Sequence, residues 1–235
     1  MKLQRKGTRH SHRGVIGVES AIVMIAFVIV AAALAFVVLN MGFTTSQKAK
    51  TSIISSLEEA SSSMQIAGKV IGSGDTAVGK LNVTAFPVKI SSGGDNVDLA
   101  ASTAAVKYVS NSIDYDNIYV GTLSGEYKSL SSAVNQAVDS ETSGTGESFG
   151  DLSVNPFDQA GQNPTTRAFL YFTQESTSND SLEQGETAVL AIVYADADRP
   201  SALDKIKAEI ITPTGASLTV ERQVPTITNS VVDLG

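Results

Sequence analysis

The hydrophobic and polar positions divide the chain into three stretches of different character. Residues 1–14 hold five basic side chains and no acidic one. Residues 21–39 are 19 consecutive apolar side chains, long enough for a helix that crosses a membrane. From Gly72 onward, short apolar runs alternate with Gly, Ser, Asn and Pro, as is typical of strands joined by turns. The pattern therefore predicts a long apolar helix followed by a β-rich domain.

The predicted helix continues well beyond the apolar run. Six hydrophobic residues recur at intervals of 4, 3, 4, 3 and 4 residues, with polar residues between them. This spacing is typical of the narrow stripe by which one helix packs against others. We therefore predict a single helix over residues 15–72, roughly 85 Å long at 1.5 Å per residue. The stripe consists of Ile53, Leu57, Ala60, Met64, Ala67 and Ile71.

The remaining residues, 73–235, contain seven clear strand-like runs. That number of short strands in one domain predicts a β-sandwich, and the fold class is therefore α+β. One further helix is predicted over residues 130–138. The predicted strands are residues 81–90, 104–110, 118–122, 167–174, 186–195, 205–212 and 216–222.

The composition limits the chemistry that the chain can support. It has 235 residues and no Cys, and its two histidines, His10 and His12, both lie in the basic stretch. These absences exclude disulfides, thiolate nucleophiles, cysteine-ligated metals and histidine-dependent nucleophilic sites in the rest of the chain. Carboxylate chemistry and calcium binding stay open by composition, but Asp196-Ala-Asp198 lacks the later ligands of a calcium loop. We therefore predict no catalytic residue, no cofactor and no metal site.

The charges are distributed unevenly along the chain. The formal net charge is -7, but residues 15–235 hold 12 basic and 24 acidic residues, which is a net charge of -12. An acidic surface disfavours nucleic-acid binding. Because all five basic residues of the first stretch precede the apolar run, the positive-inside rule predicts a cytoplasmic N-terminus and an extracellular β-rich domain.

The basic stretch and apolar run have three interpretations. A secretory signal peptide would be cut within residues 31–35, which contain two Ala-x-Ala patterns. However, the apolar run is longer than the usual core of about 7 to 15 residues, and residues 36–39 continue it past that cut. An uncleaved single-span anchor is the second interpretation. In the third, the cut falls before the apolar run.

The residues before the apolar run support this third interpretation. The sequence Arg13-Gly14-Val15-Ile16-Gly17 resembles a class III (prepilin-type) signal peptide of the type IV pilin-like superfamily. The resemblance implies that a prepilin-type peptidase in the membrane cuts after Gly14, which follows the basic Arg13. Residues 1–14 would be the cleaved leader, Val15 the new N-terminus and Gly17 the small third residue. The apolar segment would then stay in the mature protein.

Glu19 would be the fifth mature residue, where many type IV pilins have Glu. The resemblance implies that it neutralises the amino terminus of a neighbouring subunit, since a carboxylate in an apolar environment needs a partner. Alternatively, an acid in the first turns of a helix is stabilised by the unpaired amides and the helix dipole. Both roles stay open.

Further motifs resemble archaellins, the filament subunits of archaeal flagella. Asn40-Met41-Gly42-Phe43 and Gln47-Lys48-Ala49-Lys50 match near the start, and residues 209–211, 215–222 and 224–225 match near the end. The resemblance implies an immunoglobulin-like outer domain and an extracellular, non-enzymatic motility filament, with the precursor in the cytoplasmic membrane. The implied partners are other copies, alone or mixed with related archaellins, and an ATP-driven membrane motor and assembly complex. The alternatives are an adhesive type IV-like pilin, an anchored binding domain and a secreted carbohydrate-active enzyme.

An assembly helix of this kind would exchange lipid for neighbouring helices without meeting water. Small residues in the apolar run would permit close helix approach. Gly42 marks either tight packing, a bend or a tolerated glycine at the membrane surface. The residues predicted to take part in assembly are Glu19, Ala21, Phe27, Ala32, Phe36, Gly42, Ile53, Leu57 and Met64.

Two sequons make an exported chain a candidate glycoprotein. Asn82-Val83-Thr84 and Asn179-Asp180-Ser181 each fit the N-glycosylation pattern. Asn179 lies in a polar loop and is the better candidate, whereas Asn82 falls within a predicted strand.

Overall fold

The structure is a computed structural model that describes residues 13–61, 64–143, 149, 152–158 and 163–235. Residues 1–12, which form most of the predicted leader, lie outside the described residues. The chain divides into two compact units, residues 1–55 and residues 56–235, and each is described by itself.

One helix, α1 (Arg13–Ser61), contains the whole apolar run. Its 49 residues include no proline, so no backbone N–H is missing and the helix is about 74 Å long at 1.5 Å per residue. Every described side chain from residue 17 to residue 54 is exposed. A helix that is apolar on all sides is ordinarily buried in a membrane or in a protein core.

The predicted extension of this helix to residue 72 is wrong. The helix ends at Ser61, and a strand, β1 (Met64–Ile66), follows and pairs with residues 88–90. Met64 is buried in the β-rich domain, while Gln65 is exposed. The spacing of apolar residues favours a helix locally, but strand pairing across a sheet overrides that preference. The β-rich domain therefore begins at Met64 and not at residue 73.

Within the described residues, thirteen strands and one further α-helix, α2 (Leu130–Ser143), follow α1 in chain order. The strands after β1 are β2 (Ile71–Asp75), β3 (Lys80–Ile90), β4 (Val97–Asp98), β5 (Ala105–Ser110), β6 (Asp114–Tyr115), β7 (Tyr119–Glu126), β8 (Arg167–Gln174), β9 (Ser181–Leu182), β10 (Thr187–Val193), β11 (Lys205–Ile211), β12 (Leu218–Gln223) and β13 (Val231–Asp233).

The strands form two main sheets. The larger sheet has the order β13-β2-β3-β10-β8-β7, with β1 also paired to β3. Its pairs are antiparallel except β7 and β8, which are parallel and are separated in sequence by α2. The smaller sheet has the order β12-β11-β5-β6, and β4 pairs with β9 in a separate ribbon.

The first hydrophobic core joins the two main sheets. Phe86, Leu170 and Leu190 from the larger sheet belong to the same buried cluster as Val106 and Ile206 from the smaller one. Two sheets that share one core form a sandwich. The predicted α+β fold, a long apolar helix followed by a β-sandwich, is therefore confirmed.

A second core lies on the other face of the larger sheet. Successive side chains of a strand point to opposite faces of the sheet. Phe169 and Val189 therefore belong to this second cluster, whereas their neighbours Leu170 and Leu190 belong to the first. The cluster is completed by Ala133, Val134 and Ala137 of α2. The hydroxyl of Ser129 accepts a hydrogen bond from the Ser132 N–H and caps the helix. The helix predicted over residues 130–138 is thus present and continues to Ser143.

Candidate assembly helix and modification sites

The most unusual surface of the chain is the apolar part of α1. Phe27 and Phe36 are 76% and 71% exposed, and the large aliphatic residues between them are also exposed. Among the described residues, Gly17–Ile54 is the one helical segment long and apolar enough to cross a membrane, with a mean hydropathy of 3.3 over its most apolar window. An exposed apolar surface this large marks a site of contact with lipid or with other proteins.

The residues predicted for processing lie at the start of α1. Arg13, Gly14 and Val15 form its first positions, where the backbone is already helical. Gly17 is exposed, and an added Cβ there would meet nothing within 4 Å. The structure thus leaves space around Gly17, and nothing within the described chain requires a glycine at this position.

Six of the residues predicted for assembly lie exposed along the next stretch of α1: Glu19, Ala21, Phe27, Ala32, Phe36 and Gly42. Ile53 is also exposed, at 65%. Leu57 lies on the same helix, in its last turns. Met64 does not belong to this set, because its side chain is 5% exposed and lies in the core of the β-rich domain.

The end of the apolar run is marked by hydroxyl groups that bond to the helix itself. Thr44 Oγ1 donates to the Asn40 carbonyl at 2.6 Å, and Thr51 Oγ1 donates to the Gln47 carbonyl at 3.0 Å. These bonds satisfy the hydroxyl donors within the helix, so neither threonine depends on water for a hydrogen-bond acceptor. Sequence reasoning missed this feature, although the spacing of seven residues between the two threonines is visible in the sequence.

The first sequon is built into the interior of the sandwich. Asn82 is 6% exposed and its Nδ2 donates to the Pro156 carbonyl at 3.3 Å. Thr84, the third residue of the sequon, is fully buried, with its hydroxyl 2.9 Å from the Tyr194 hydroxyl. An acceptor asparagine must be accessible to the glycosylating enzyme, so this sequon is inaccessible in the folded domain.

The buried carboxamide of Asn82 contacts a buried arginine. Arg199 Nη2 donates to Asn82 Oδ1 at 2.5 Å and to Asp75 Oδ2 at 3.1 Å, and its side chain is 3% exposed. The Ala77 N–H and then the Arg199 guanidinium hold the pKa of Asp75 below its usual value. Because every bond of this cluster is internal, its role is to join β2, β3 and the segment after β10.

The second sequon lies on an exposed loop. Asn179 is exposed, and its Oδ1 accepts a hydrogen bond from the Ser181 N–H at 2.9 Å. The Asn179 Nδ2 donates to Glu183 Oε1 at 3.3 Å. The middle residue, Asp180, is held by the Thr122 hydroxyl, which fixes the loop against β7. This arrangement leaves the acceptor amide at the surface on an ordered turn.

The acidic residues considered for calcium serve local bonds. Asp196–Asp198 forms a short 3-10 turn in which Asp198 accepts from the hydroxyls of Thr166 and Tyr115. Across the part of the chain that the structure describes, no group of three or more His, Cys, Asp or Glu side chains could hold a metal ion.

Sequence comparisons place the chain among known filament proteins. The family model of archaeal-type flagellins matches residues 14–222. A probable flagellin 1 of Aeropyrum pernix is 36% identical over 228 residues, which are 95% of this chain and 98% of that protein. A probable flagellin 1 of Archaeoglobus fulgidus is 26% identical over 95% of this chain and 96% of its own length.

Solved structures with the same fold agree. The archaeal flagellum of Methanospirillum hungatei aligns with a TM-score of 0.59 and 22% identity, over 93% of this chain and 99% of that one. The flagellin FlaB1 of Methanocaldococcus jannaschii aligns with a TM-score of 0.51 and 16% identity, over 74% of this chain and 96% of that one. Because the family model begins at Gly14 and spans α1 as well as most of the sandwich, the chain belongs to the archaeal-type flagellin family and is a structural subunit of the archaeal flagellum filament.

Proposed function

We propose that the chain is made as a membrane-held precursor, is cut after Gly14, and then polymerises through α1 into the core of a rotating filament. The observation that carries this proposal is the helix itself. Its apolar side chains are exposed over the whole described stretch from residue 17 to residue 39. Residues 1–14 would be the leader, the helix up to Ser61 would form the filament core, and the domain from Met64 onward would form the extracellular outer wall.

The energetics oppose the release of α1 from lipid, or from neighbouring helices, into water. Exposing one large apolar side chain to water costs roughly 1.5 to 3 kcal/mol, so releasing a free subunit into water would be very unfavourable. In a membrane, lipid covers this surface, and in a filament, identical helices replace the lipid. The alanines among residues 31–35 would let those helices approach closely.

This route requires three kinds of partner. A prepilin-type peptidase would cut the precursor, an ATP-driven membrane complex would insert subunits and turn the filament, and other copies of the chain would form its walls. The basic first stretch, which precedes the apolar run, supports an outward orientation of the sandwich. The subunit's own part would be structural, with no reaction of its own.

Glu19 supports the proposed assembly step. It is exposed on α1 four residues after Val15, in the segment that lipid or neighbouring helices would cover. If the cut frees the Val15 amine, Glu19 of one subunit can pair with the amine of the next, because an unpaired carboxylate would be costly there. Glu19→Gln should then reduce filament yield while leaving precursor processing unchanged, whereas a carboxylate that only stabilises the helix end would leave the yield unchanged.

Asn179 is the sequon that we propose for N-glycosylation. It combines an exposed amide with an ordered turn, whereas Asn82 is enclosed by Pro156 and Arg199. A glycan at Asn179 would project into solvent from the outer domain.

A substitution at Gly14 tests the proposed route. Gly14→Leu should leave full-length precursor in the membrane and no filaments, because a bulky residue would block the peptidase. Gly68→Ala is the matched control, since it lies outside the leader and α1 and an added Cβ there would meet only Pro87 Cγ at 3.8 Å. Normal filaments from the Gly14→Leu chain would contradict the proposal.

An adhesive pilus is the second function considered, and it is not favoured. The family model and the relatives that span nearly the whole chain are flagellins. A deletion strain that attaches to surfaces less well but swims normally would reverse this preference.

A further inference from the structure

The polar end of α1 carries a narrow ridge of five residues on one face. They recur at intervals of 3, 4, 3 and 4 residues, which is the spacing by which one helix packs against another. All five are exposed. Three are β-branched, so their side chains keep to one or two rotamers and lose little freedom when another helix covers them. The ridge consists of Val37, Asn40, Thr44, Gln47 and Thr51.

The ridge has two hydroxyls that are satisfied and two amides that are not. Thr44 Oγ1 donates to the Asn40 carbonyl at 2.6 Å. Thr51 Oγ1 donates in the same way to the Gln47 carbonyl at 3.0 Å. The side-chain amides of Asn40 and Gln47 make no hydrogen bond within the part of the chain that the structure describes. An amide buried without a partner is unfavourable, so whatever covers the ridge must supply hydrogen-bonding groups.

The opposite face of the same helix carries a groove lined by small residues. At about 100° per residue, Gly42 lies about 200° around the helix from Asn40, with Ala35 and Ala49 seven residues before and after it. An added Cβ on Gly42 would meet nothing within 4 Å, so the described chain itself does not require this glycine, although glycine weakens a helix. A row of small residues lets a neighbouring helix approach closely. The shape of this face therefore fits a ridge from another helix.

Hydroxyl groups lie on both rims of the groove. Thr45 and Ser46 follow Gly42 by three and four residues, so they flank it on opposite sides. Both are exposed. Unlike the ridge threonines, they make no side-chain hydrogen bond within the described residues. The groove thus offers hydrogen-bonding groups at the level of the helix where the ridge has amides without partners.

We propose that the ridge of one copy docks into the groove of the next copy's α1 in the filament core, where the two ridge amides bond to the hydroxyls on the groove rims. The proposal rests on the proposed function, in which identical helices surround α1. A second copy is favoured because α1 carries both halves of the contact, whereas lipid tails cannot satisfy the amides. A contact between two different faces is heterologous and repeats without closing, as an open helical polymer requires. The chain belongs to a family of such filament subunits.

A double-mutant cycle in whole filaments tests the proposed hydrogen bonds. Gln47→Leu and Thr45→Val each leave a partner buried and unpaired, so filaments of either variant should release about 5-fold more free subunit on heating than wild type. The double variant should also release about 5-fold more, and not about 25-fold more, because no partner is then left unpaired. Residues two apart on a helix do not face each other, so this coupling must arise between copies.

Lys50→Gln combined with Thr45→Val is the matched control for the cycle. Lys50 is exposed and lies about a quarter of a turn from both the ridge and the groove, so the effects of these two substitutions should multiply. Effects that also multiply in the double variant of Gln47→Leu and Thr45→Val would overturn the proposal. Single variants that release as little subunit as wild type would overturn it too.

Introduced cysteines give a second test, since the chain has none. Thr44→Cys on the ridge is combined in turn with Ala35→Cys, Gly42→Cys or Ala49→Cys in the groove. When filaments are oxidised, at least one of these double variants should form disulfide-linked ladders of subunits, and Thr44→Cys alone should form none. Linked dimers from Thr44→Cys alone would place ridge against ridge, and this result, like the absence of any ladder, would overturn the proposal. A wild-type chain that forms no filaments would instead contradict the proposed function, so the two failures are distinguishable.

Discussion

Replacing Arg199 by alanine should destabilise the β-rich domain more than most single substitutions. The Arg199 side chain is 3% exposed, and it donates to Asn82 Oδ1 at 2.5 Å and to Asp75 Oδ2 at 3.1 Å. Hydrogen bonds that involve a charged group contribute about 1.5 to 3 kcal/mol each, and breaking a buried pair costs about 3 to 5 kcal/mol. The Asp75 side chain is 23% exposed and keeps its bond from the Ala77 N–H, so solvent reduces its share. We therefore expect a loss of about 3 to 4 kcal/mol in the free energy of unfolding.

Urea unfolding of residues 56–235, which contain both hydrophobic cores, measures this loss. Asp196→Ala is the matched control, because Asp196 also bonds to Arg199 at 3.4 Å but its side chain is 73% exposed. An exposed ion pair contributes at most about 1 kcal/mol, so this control should change little. The reasoning is refuted if Arg199→Ala costs less than about 1 kcal/mol, or no more than Asp196→Ala does.

The same cluster predicts a pH dependence. The pKa of Asp75 is held below its ordinary value of 3.8, first by the Ala77 N–H and then by Arg199. A lowered pKa in the folded state contributes stability that is present above the ordinary pKa and is lost as the pH falls through the folded pKa. Wild type should therefore lose more stability than Arg199→Ala does as the pH falls below 3.8.

Three further predictions concern other parts of the domain. In Gly74→Ala, the new Cβ would lie 2.6 Å from Ile227 Cγ2, so the free energy of unfolding measured in urea should fall by about 1 to 3 kcal/mol. Gly68→Ala is the control and should be neutral, because its Cβ would meet only Pro87 Cγ at 3.8 Å. Mass spectrometry of filament peptides should find a glycan on the Asn179 peptide that Asn179→Gln abolishes, and an unmodified Asn82 peptide; a glycan on Asn82 would contradict the burial argument. Burial raises the pKa of Tyr194 from 10.0 to about 12, so the free energy of unfolding should fall as the pH rises from 10.0 towards about 12. If the phenolate absorbance of the folded domain is complete at ordinary tyrosine pKa values, Tyr194 is not shielded and this prediction is wrong.

The sandwich strands were predictable where apolar runs are long and bounded by turn residues. The predicted strand at residues 167–174 coincides with β8, and the strand predicted at residues 81–90 begins one residue late relative to β3. β8 is an almost continuous apolar run over residues 168–172 because it is buried on both faces there. β3 is also buried on both faces, but its polar Asn82 and Thr84 alternate with apolar residues.

The strands that sequence reasoning missed depend on distant partners. β13 is only three residues long and pairs Val231 with Ser73, more than 150 residues earlier in the chain. β2 contains two glycines and shows no alternation of apolar residues that would predict a strand. The sequence predicts Met64 in the helix because it lies seven residues after Leu57, a spacing that fits the apolar stripe of a helix. In each case long-range pairing, and not local preference, decided the outcome.

The candidate site was predictable in its helical part and in its two sequons, but not in the Arg199 cluster. The apolar surface of α1 is continuous in sequence, so composition alone revealed it. The Arg199 cluster joins side chains from positions 75, 82 and 199, and no local pattern connects them. The burial of Asn82 had one visible signal, since its sequon lies inside the predicted strand of residues 81–90.

The N-terminal residue of the subunit in purified filaments tests the central claim most directly. Mass spectrometry of intact subunits, after removal of any glycan, gives this residue without ambiguity. The account predicts Val15, which keeps the whole apolar helix in the mature protein and removes all five basic residues that precede it. A subunit that begins at Met1, or one cut within residues 31–36, would contradict it.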